Sequence, residues 1–165
     1  MASILKVENI SHTNGSAAMT IDDSGRVLQP AKPAILCMGN NSSGVVVGGN
    51  TLLPPANYET TTNGFAQGGM TYNNTNGEIT VPVAGLYFVS GQIYNNTGAT
   101  HGRIIMRVNG DNAALAHMNA GENCTVSTHI IKNLSAGDVI TFVNGYSTTL
   151  FFGNLHTFLQ AYLIG

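Results

Sequence analysis

Residues 77–90 read GEITVPVAGLYFVS, and their hydrophobic positions recur with a period of two. Ile79, Val81 and Val83 alternate with Thr80 and Pro82, the pattern of a β-strand. Proline cannot donate to a ladder, so Pro82 predicts a sheet edge or a bulge. Gly85 permits a tight turn into a long strand over 86–94 that is apolar on both faces. One face carries Tyr87, Val89 and Ile93, and the other carries Phe88, Ser90, Gln92 and Tyr94. The segment 155–164 has the same character, with Leu159, Ala161 and Leu163 opposite Phe158, Gln160, Tyr162 and Ile164. An antiparallel sheet in a single chain usually keeps one face wet. Two strands apolar on both sides need cover on both sides, and in a chain of 165 residues the second cover is expected from another subunit. A buried interface tolerates some polar side chains by hydration or by pairing. Ser90, Gln92 and Gln160 therefore mark their face, with Phe88, Tyr94, Phe158 and Tyr162, as the inter-subunit side.

The flanking sequence extends the β reading. Residues 34–38, 102–109, 123–131 and 139–143 are further short apolar runs separated by turn residues, at the spacing of a sandwich or barrel. Val45–Val47 is a fragment cut off by Gly48-Gly49, and Leu52-Leu53 is stopped by Pro54-Pro55. Asn109-Gly110 is a hairpin turn signal. Residues 113–118 fit a short strand, or one helical turn capped by Asn112 and ended by Gly121. Composition agrees with an all-β chain: 20 Gly, 19 Asn, 17 Thr and 10 Ser, against only 8% charged residues. That charged fraction is far below the usual value of about 25%. A net charge of −2 gives no footprint for nucleic acid or for an anionic membrane surface. No run approaches the roughly 20 apolar residues of a spanning helix, and 1–10 lacks the pattern of a secretory signal. Cys37 and Cys124 are far apart, with no metal-type spacing, and read as small buried hydrophobes, with a single bridge as the alternative.

The first thirty residues stand apart. Ile4, Leu5, Val7 and Ile10 suggest a short strand. Met19 and Ile21, then the turn DDSG, then Val27 and Leu28, form a small hairpin. Pro30 and Pro33 break regular structure, which divides the chain into an arm and linker over 1–33 and a body over 34–165. The arm has too little apolar content for a core of its own, so these eight apolar residues are expected to dock on another protein.

Two resemblances sharpen the reading. Tyr72, the run 77–83, and Gly85-Leu86-Tyr87 resemble the Tyr…Gly…Pro-x-x-Gly-x-Tyr signature of the complement-head and tumour-necrosis-factor-like jelly rolls. Gly137-Asp138 before 139–143 is similar to the Gly-Asp opening that family's penultimate strand, and His156-Thr157-Phe158 to the Ser-Thr-Phe of its last strand. Gln160 departs from the glycine the family prefers, and Val89 from its usual aromatic. The resemblance implies a jelly-roll β-sandwich, partner copies in a homotrimer, and Phe158 at the trimer axis. Residues 11–30, SHTNGSAAMTIDDSGRVLQP, are similar to the N-terminal segment of virion proteins of tailed phages of marine cyanobacteria. That resemblance implies a virion protein assembled in the host cytoplasm, with the major capsid protein or another virion protein as partner.

Catalytic signatures are missing. GxSxG, GxGxxG, GxxxxGK and HExxH do not occur. His101, His117, His129 and His156 sit at non-motif spacings and read as hydrogen-bonded structural residues. Asp22-Asp23-Ser24-Gly25 and Asn73-Asn74-Thr75-Asn76-Gly77 mimic parts of calcium loops, but Asx turns explain both. No cofactor, metal or enzymatic activity is expected. Two functions from different classes remain: a trimeric capsid decoration or cement protein docked through its arm, and a short tail fibre or receptor-binding tip. The second would recognise a host surface glycan through polar loops at 40–50, 58–72, 121–124 and 146–154.

Overall fold

The computed structural model describes residues 7–11, 13, 15, 17–95, 101–119, 123–146, 148–153 and 156–165. Backbone contacts divide the chain between Lys32 and Pro33. The arm unit is an antiparallel meander of β1 (Asn9–Ser11), β2 (Ala17–Ile21) and β3 (Val27–Leu28). Its β2–β3 turn is organised by one carboxylate. Asp22 accepts hydrogen bonds from the backbone N–H groups of Ser24 and Arg26 (3.0 and 2.9 Å) and from Arg26 Nε (2.7 Å). These bonds, led by the Arg26 backbone N–H, hold the Asp22 carboxyl below the usual range. Gly25 supplies the positive φ, 77°, that the turn requires.

The body runs through β4 (Ala34–Gly39), β5 (Asn41–Val47), β6 (Thr51–Leu52), a 3-10 turn (Pro55–Asn57), β7 (Tyr58–Glu59), β8 (Phe65–Gln67) and β9 (Thr71–Asn73). It continues through β10 (Glu78–Thr80), β11 (Gly85–Asn95), β12 (Gly102–Val108), β13 (Asp111–Met118), β14 (Cys124–Leu134), β15 (Val139–Asn144), β16 (Thr148–Phe152) and β17 (Phe158–Leu163). Two antiparallel sheets form a jelly-roll sandwich. In one, β14, β11, β17 and β4 lie side by side, with β7 and β8 completing the β4 edge. In the other the order is β13-β12-β15-β10-β9.

Alternation builds the core between them. Tyr87, Val89 and Ile93 from β11, Leu159 and Ala161 from β17, and Ile35 and Cys37 from β4 point inward. They meet Ile79, Ile104, Met106, Ile140 and Phe142 from the second sheet. Each large side chain enclosed this way contributes about 1.5–3 kcal/mol. Gly91 occupies a core position because the Phe142 ring fills the space its side chain would take: a Cβ there would lie 2.4 Å from Phe142 Cε1. Tyr87, buried to its ring, still donates its hydroxyl to Val83 O at 3.0 Å.

The β12–β13 hairpin turns at Asn109 (φ 52°) and Gly110 (φ 88°), the paired positive angles of a type I′ turn. The Asn109 side chain donates to Asp138 (2.8 Å) and accepts from the Val139 N–H (2.9 Å), fastening this turn to the start of β15. Residues 113–118 are strand, part of β13, not a helical turn. Two expectations need correction. The run at 79–83 is strand only to Thr80; beyond it Val81 exchanges single bonds with Asp138 O and the Gly137 N–H (2.9 and 2.8 Å), and Pro82 cannot extend the ladder. The segments 40–50 and 146–154 are largely not loops. They supply β5 and β16, which pair antiparallel from Val47↔Thr148 to Asn41↔Phe152.

Candidate assembly face

The side of the β14-β11-β17-β4 sheet turned away from the core is also built from β11 and β17, one residue out of phase. Register places Phe88 beside Tyr162, Ser90 beside Gln160, and Gln92 beside Phe158. The Phe88 and Tyr162 rings lie 5.2 Å apart, and the His129 ring of β14 stacks on Phe88 at 6.2 Å and 18°. Gln160 Nε2 donates to Ser90 Oγ at 2.9 Å. Gln92 Nε2 donates to His156 O at 3.0 Å, and the His156 ring meets Tyr94 at 4.7 Å. The Tyr94 hydroxyl donates to Asn123 Oδ1 at 3.1 Å.

Gln92, Gln160 and Tyr94 thus each donate one hydrogen bond on this face, which lowers the cost of covering it with another surface. The apolar groups remain open: Tyr162 is 43% exposed, Ile131 59% and Phe65 47%. Leu36 and Met38 of β4 are half-buried on the same side. Glu59, in register with Met38, brings a carboxylate only to the β7 edge.

All seven residues chosen from the sequence, Phe88, Ser90, Gln92, Tyr94, Phe158, Gln160 and Tyr162, share this face. Sequence reasoning missed Leu36, Phe65, His129 and Ile131. The alternation in 34–38 and 123–131 carried that signal. In the arm, Val7, Ile10, Ile21, Val27 and Leu28 are exposed and Met19 is half-buried. Ile4 and Leu5 lie outside the described residues.

Cys37 and Cys124 are not joined in a disulfide. Cys37 is enclosed in the core, where burial pushes its thiol up to about 12, and Cys124 is half-buried beside Asn95. The histidines differ from expectation. His101, His117 and His129 are exposed and held by ring contacts, because each stands on the outward side of its strand or just beyond a strand end. At 73–77 an Asx turn forms, with the Thr75 N–H donating to Asn73 Oδ1 at 2.8 Å. Among the described residues no three His, Cys, Asp or Glu side chains converge as a metal site would need.

No protein-family model matches this sequence, and no curated protein does. Solved structures match in shape. Eiger TNF from S. frugiperda superposes with a TM-score of 0.69 at 14% identity, covering 81% of this chain and 94% of that one. Murine APRIL at pH 8.0 gives 0.60 at 13% identity, covering 80% of this chain and 98% of that one. The murine APRIL structure at pH 8.5 gives 0.62 at 14%, with the same coverage. The body is a TNF-like jelly roll. At these identities the likeness speaks for the fold alone, and the arm's similarity to phage proteins has no counterpart among these matches.

Proposed function

We propose that this protein is a homotrimeric structural protein of a phage virion, a capsid decoration or cement protein that docks through its arm. The observation that carries the reading is the open aromatic face of β11 and β17. Gln92, Gln160 and Tyr94 each donate a hydrogen bond there, its charge is confined to an edge, and its apolar rings lack cover in a single protomer. Self-association through Phe88, Phe158 and Tyr162 around a common axis supplies that cover. The arm supports the second half of the reading. A three-stranded meander with five exposed apolar side chains is marginal alone and gains stability by lying on a shell protein. The capsid partner and the phage source rest on the resemblance of 11–30 to virion proteins.

Light scattering at micromolar concentration with a chelator present is expected to give the mass of three chains, and a monomer overturns the assembly. Deletion of 1–31 is expected to leave a folded trimer that no longer attaches to virions. Attachment equal to that of the full chain overturns the docking role. A receptor-binding tail tip is the second reading, favoured by a group of rings, two exposed and one half-buried, near the start of β12 and the ends of β13 and β15. Copy number separates the two: hundreds of copies on the shell support decoration, and a handful at the tail supports the tip.

A further inference from the structure

That ring group stands on the other sheet, on the side turned away from the core. His117 of β13 is directly opposite Arg103 of β12, which places their Cβ atoms about 4.5–5.5 Å apart. His101 precedes Arg103 by two residues on the approach to β12, and Tyr146 lies just past the end of β15. The three rings form a closed set, with centroids 6.2 Å apart for His101–His117, 5.4 Å for His101–Tyr146 and 5.3 Å for His117–Tyr146.

The framework beneath them is rigid. Asn144, fully buried at the end of β15, donates to Val47 O (3.1 Å), to Gly48 O (3.4 Å) and to Tyr146 O. That side chain ties the turn carrying Tyr146 to β5. Gly145 N donates to Arg103 O at 2.8 Å, and the Arg103 stem lies against Gly145 so closely that a Cβ there would sit 2.4 Å from Arg103 Cγ and Cδ. The stem is thereby held under the turn.

Among the described residues the guanidinium has no counter-charge. Arg103 forms no ion pair or side-chain hydrogen bond among the described residues, and its Nε is buried without a partner. Arg107, four residues on and facing the same way, does have one: its Nε donates to Asn112 at 3.0 Å. The segments that carry the group, 101–106, 114–119 and 143–146, contain no Asp or Glu. A partly covered guanidinium beside two imidazoles, with no carboxylate paired to it among the described residues, favours an anion from outside. The same positive charge opposes a metal ion between the two imidazoles. The half-buried Tyr146 ring beside the donors adds a flat apolar surface that a sugar ring packs on, which a bare inorganic anion does not use.

We propose that Arg103, His101, His117 and Tyr146 form a binding site for an acidic saccharide, with the carboxylate or sulfate of the sugar on Arg103 and the imidazoles and its ring against Tyr146. The site is on the sheet opposite the assembly face and does not depend on trimer formation.

The test uses the full chain and three probes: a glucuronate-containing tetrasaccharide, the same tetrasaccharide with its carboxyl groups reduced to alcohols, and sodium sulfate. Imidazole NMR resonances of His101 and His117 are expected to shift with the acidic tetrasaccharide, while those of His129 and His156 stay in place. The reduced sugar should bind at least about tenfold more weakly, the loss expected for one charge-assisted contact. His101→Gln with His117→Gln should weaken binding by a similar factor without changing the melting temperature, since both side chains are exposed. Arg103→Lys keeps the charge and the stem but loses the planar fork, and should also weaken binding. Equal binding of the reduced and acidic sugars, unchanged binding by the double histidine variant, or no response to either sugar overturns the proposal. Sulfate binding as tightly as the acidic tetrasaccharide overturns its saccharide part, leaving an inorganic-anion site.

Discussion

On β11 the side chains of Tyr87, Val89 and Ile93 are at most 1% exposed, whereas Phe88, Gln92 and Tyr94, one position out of phase, are only half-buried. The two sets are similar in apolar content, so composition does not separate them. What separates them is what stands opposite. The inward set meets a second sheet that supplies Ile104, Ile140 and Phe142. The outward set meets its neighbours on β14, β17 and β4 and His156 just before β17, with one hydrogen bond donated by each of Gln92, Gln160 and Tyr94. An apolar strand face sealed inside the chain contributes to folding. One with several of its polar groups hydrogen-bonded and its rings open is suited to association.

The largest effect on the fold of the protomer itself is expected at Gly91. A Cβ there would lie 2.4 and 2.7 Å from Phe142 ring carbons and 3.2 Å from Ile104 Cδ1. Valine adds two further methyl groups to a space already taken, and overpacking of this kind costs typically about 1–3 kcal/mol or more. Gly91→Val should therefore lower the melting temperature by roughly 5–10 °C or leave the chain insoluble. Combining it with Phe142→Leu should recover part of the loss, because the two positions share one space. If Gly91→Val melts like the parent, the inner face is not packed as described.

Phe158→Ala comes next and should act on the other side of the contrast. Phe158 is half-buried in one protomer, beside Gln92 and Met38. Enclosure on assembly would make its truncation cost about 3–5 kcal/mol per chain. The expected outcome is a lower mass by light scattering at micromolar concentration with the protomer still folded by circular dichroism. Leu163→Ala, on the partly buried edge of the core, should do the reverse and lower the melting temperature with the mass intact. Exchange of these two outcomes would show that the faces have been assigned the wrong way round.

These contrasts were legible in the sequence where the governing interaction is local. Period-two alternation at 86–94 and 159–163 separates the inward from the outward residues without reference to any partner, and Asn109-Gly110 announces its turn. The β5–β16 ribbon was not legible. Its pairs join residues about a hundred positions apart, and Ser42-Ser43-Gly44 gives no hydrophobic alternation to mark a strand. Asn144, just past the apolar run 139–143, is a buried clamp, and this was not legible because nothing local records which carbonyls a side-chain amide will reach. The Arg103, His101, His117 and Tyr146 group was missed for the same reason: three segments that are unremarkable separately converge only through sheet register. The arm's composition told that it lacks a core, while its hairpin followed from the DDSG turn.

A smaller effect should separate the faces through the cysteine of β4. Cys37 is fully enclosed and its thiol is pushed up to about 12 by burial, so little thiolate exists at pH 8 and no reagent reaches it. Cys37→Ser replaces a weak donor by a hydroxyl that needs a partner the core does not provide, at about 1–3 kcal/mol. Thiol labelling of the native parent should modify Cys124 alone, and Cys37 should react only with denaturant present. Rapid native labelling of Cys37 would mean that the sheets open there.

The smallest effect is expected at Ser90, which tests the idea that the outward face is prepared for burial. Ser90 is 7% exposed although it points away from the core, because Phe88, Gln160 and their neighbours crowd over it. Its hydroxyl accepts the hydrogen bond from Gln160 Nε2 at 2.9 Å. Ser90→Ala removes that acceptor. In a lone protomer Gln160, half-buried, can turn to water, so the melting temperature of a dilute, dissociated sample should change by about 1 kcal/mol equivalent or less. Inside an assembly the same amide would be shut away from water, and an unsatisfied buried donor costs about 1–3 kcal/mol. Comparing the variant with its parent at high and low protein concentration therefore reads the environment of Gln160 directly. A penalty that grows with concentration, relieved by Gln160→Leu in the Ser90→Ala background, is the expected result. A penalty independent of concentration would place the Ser90–Gln160 pair in the protomer's own stability and remove it from the assembly face.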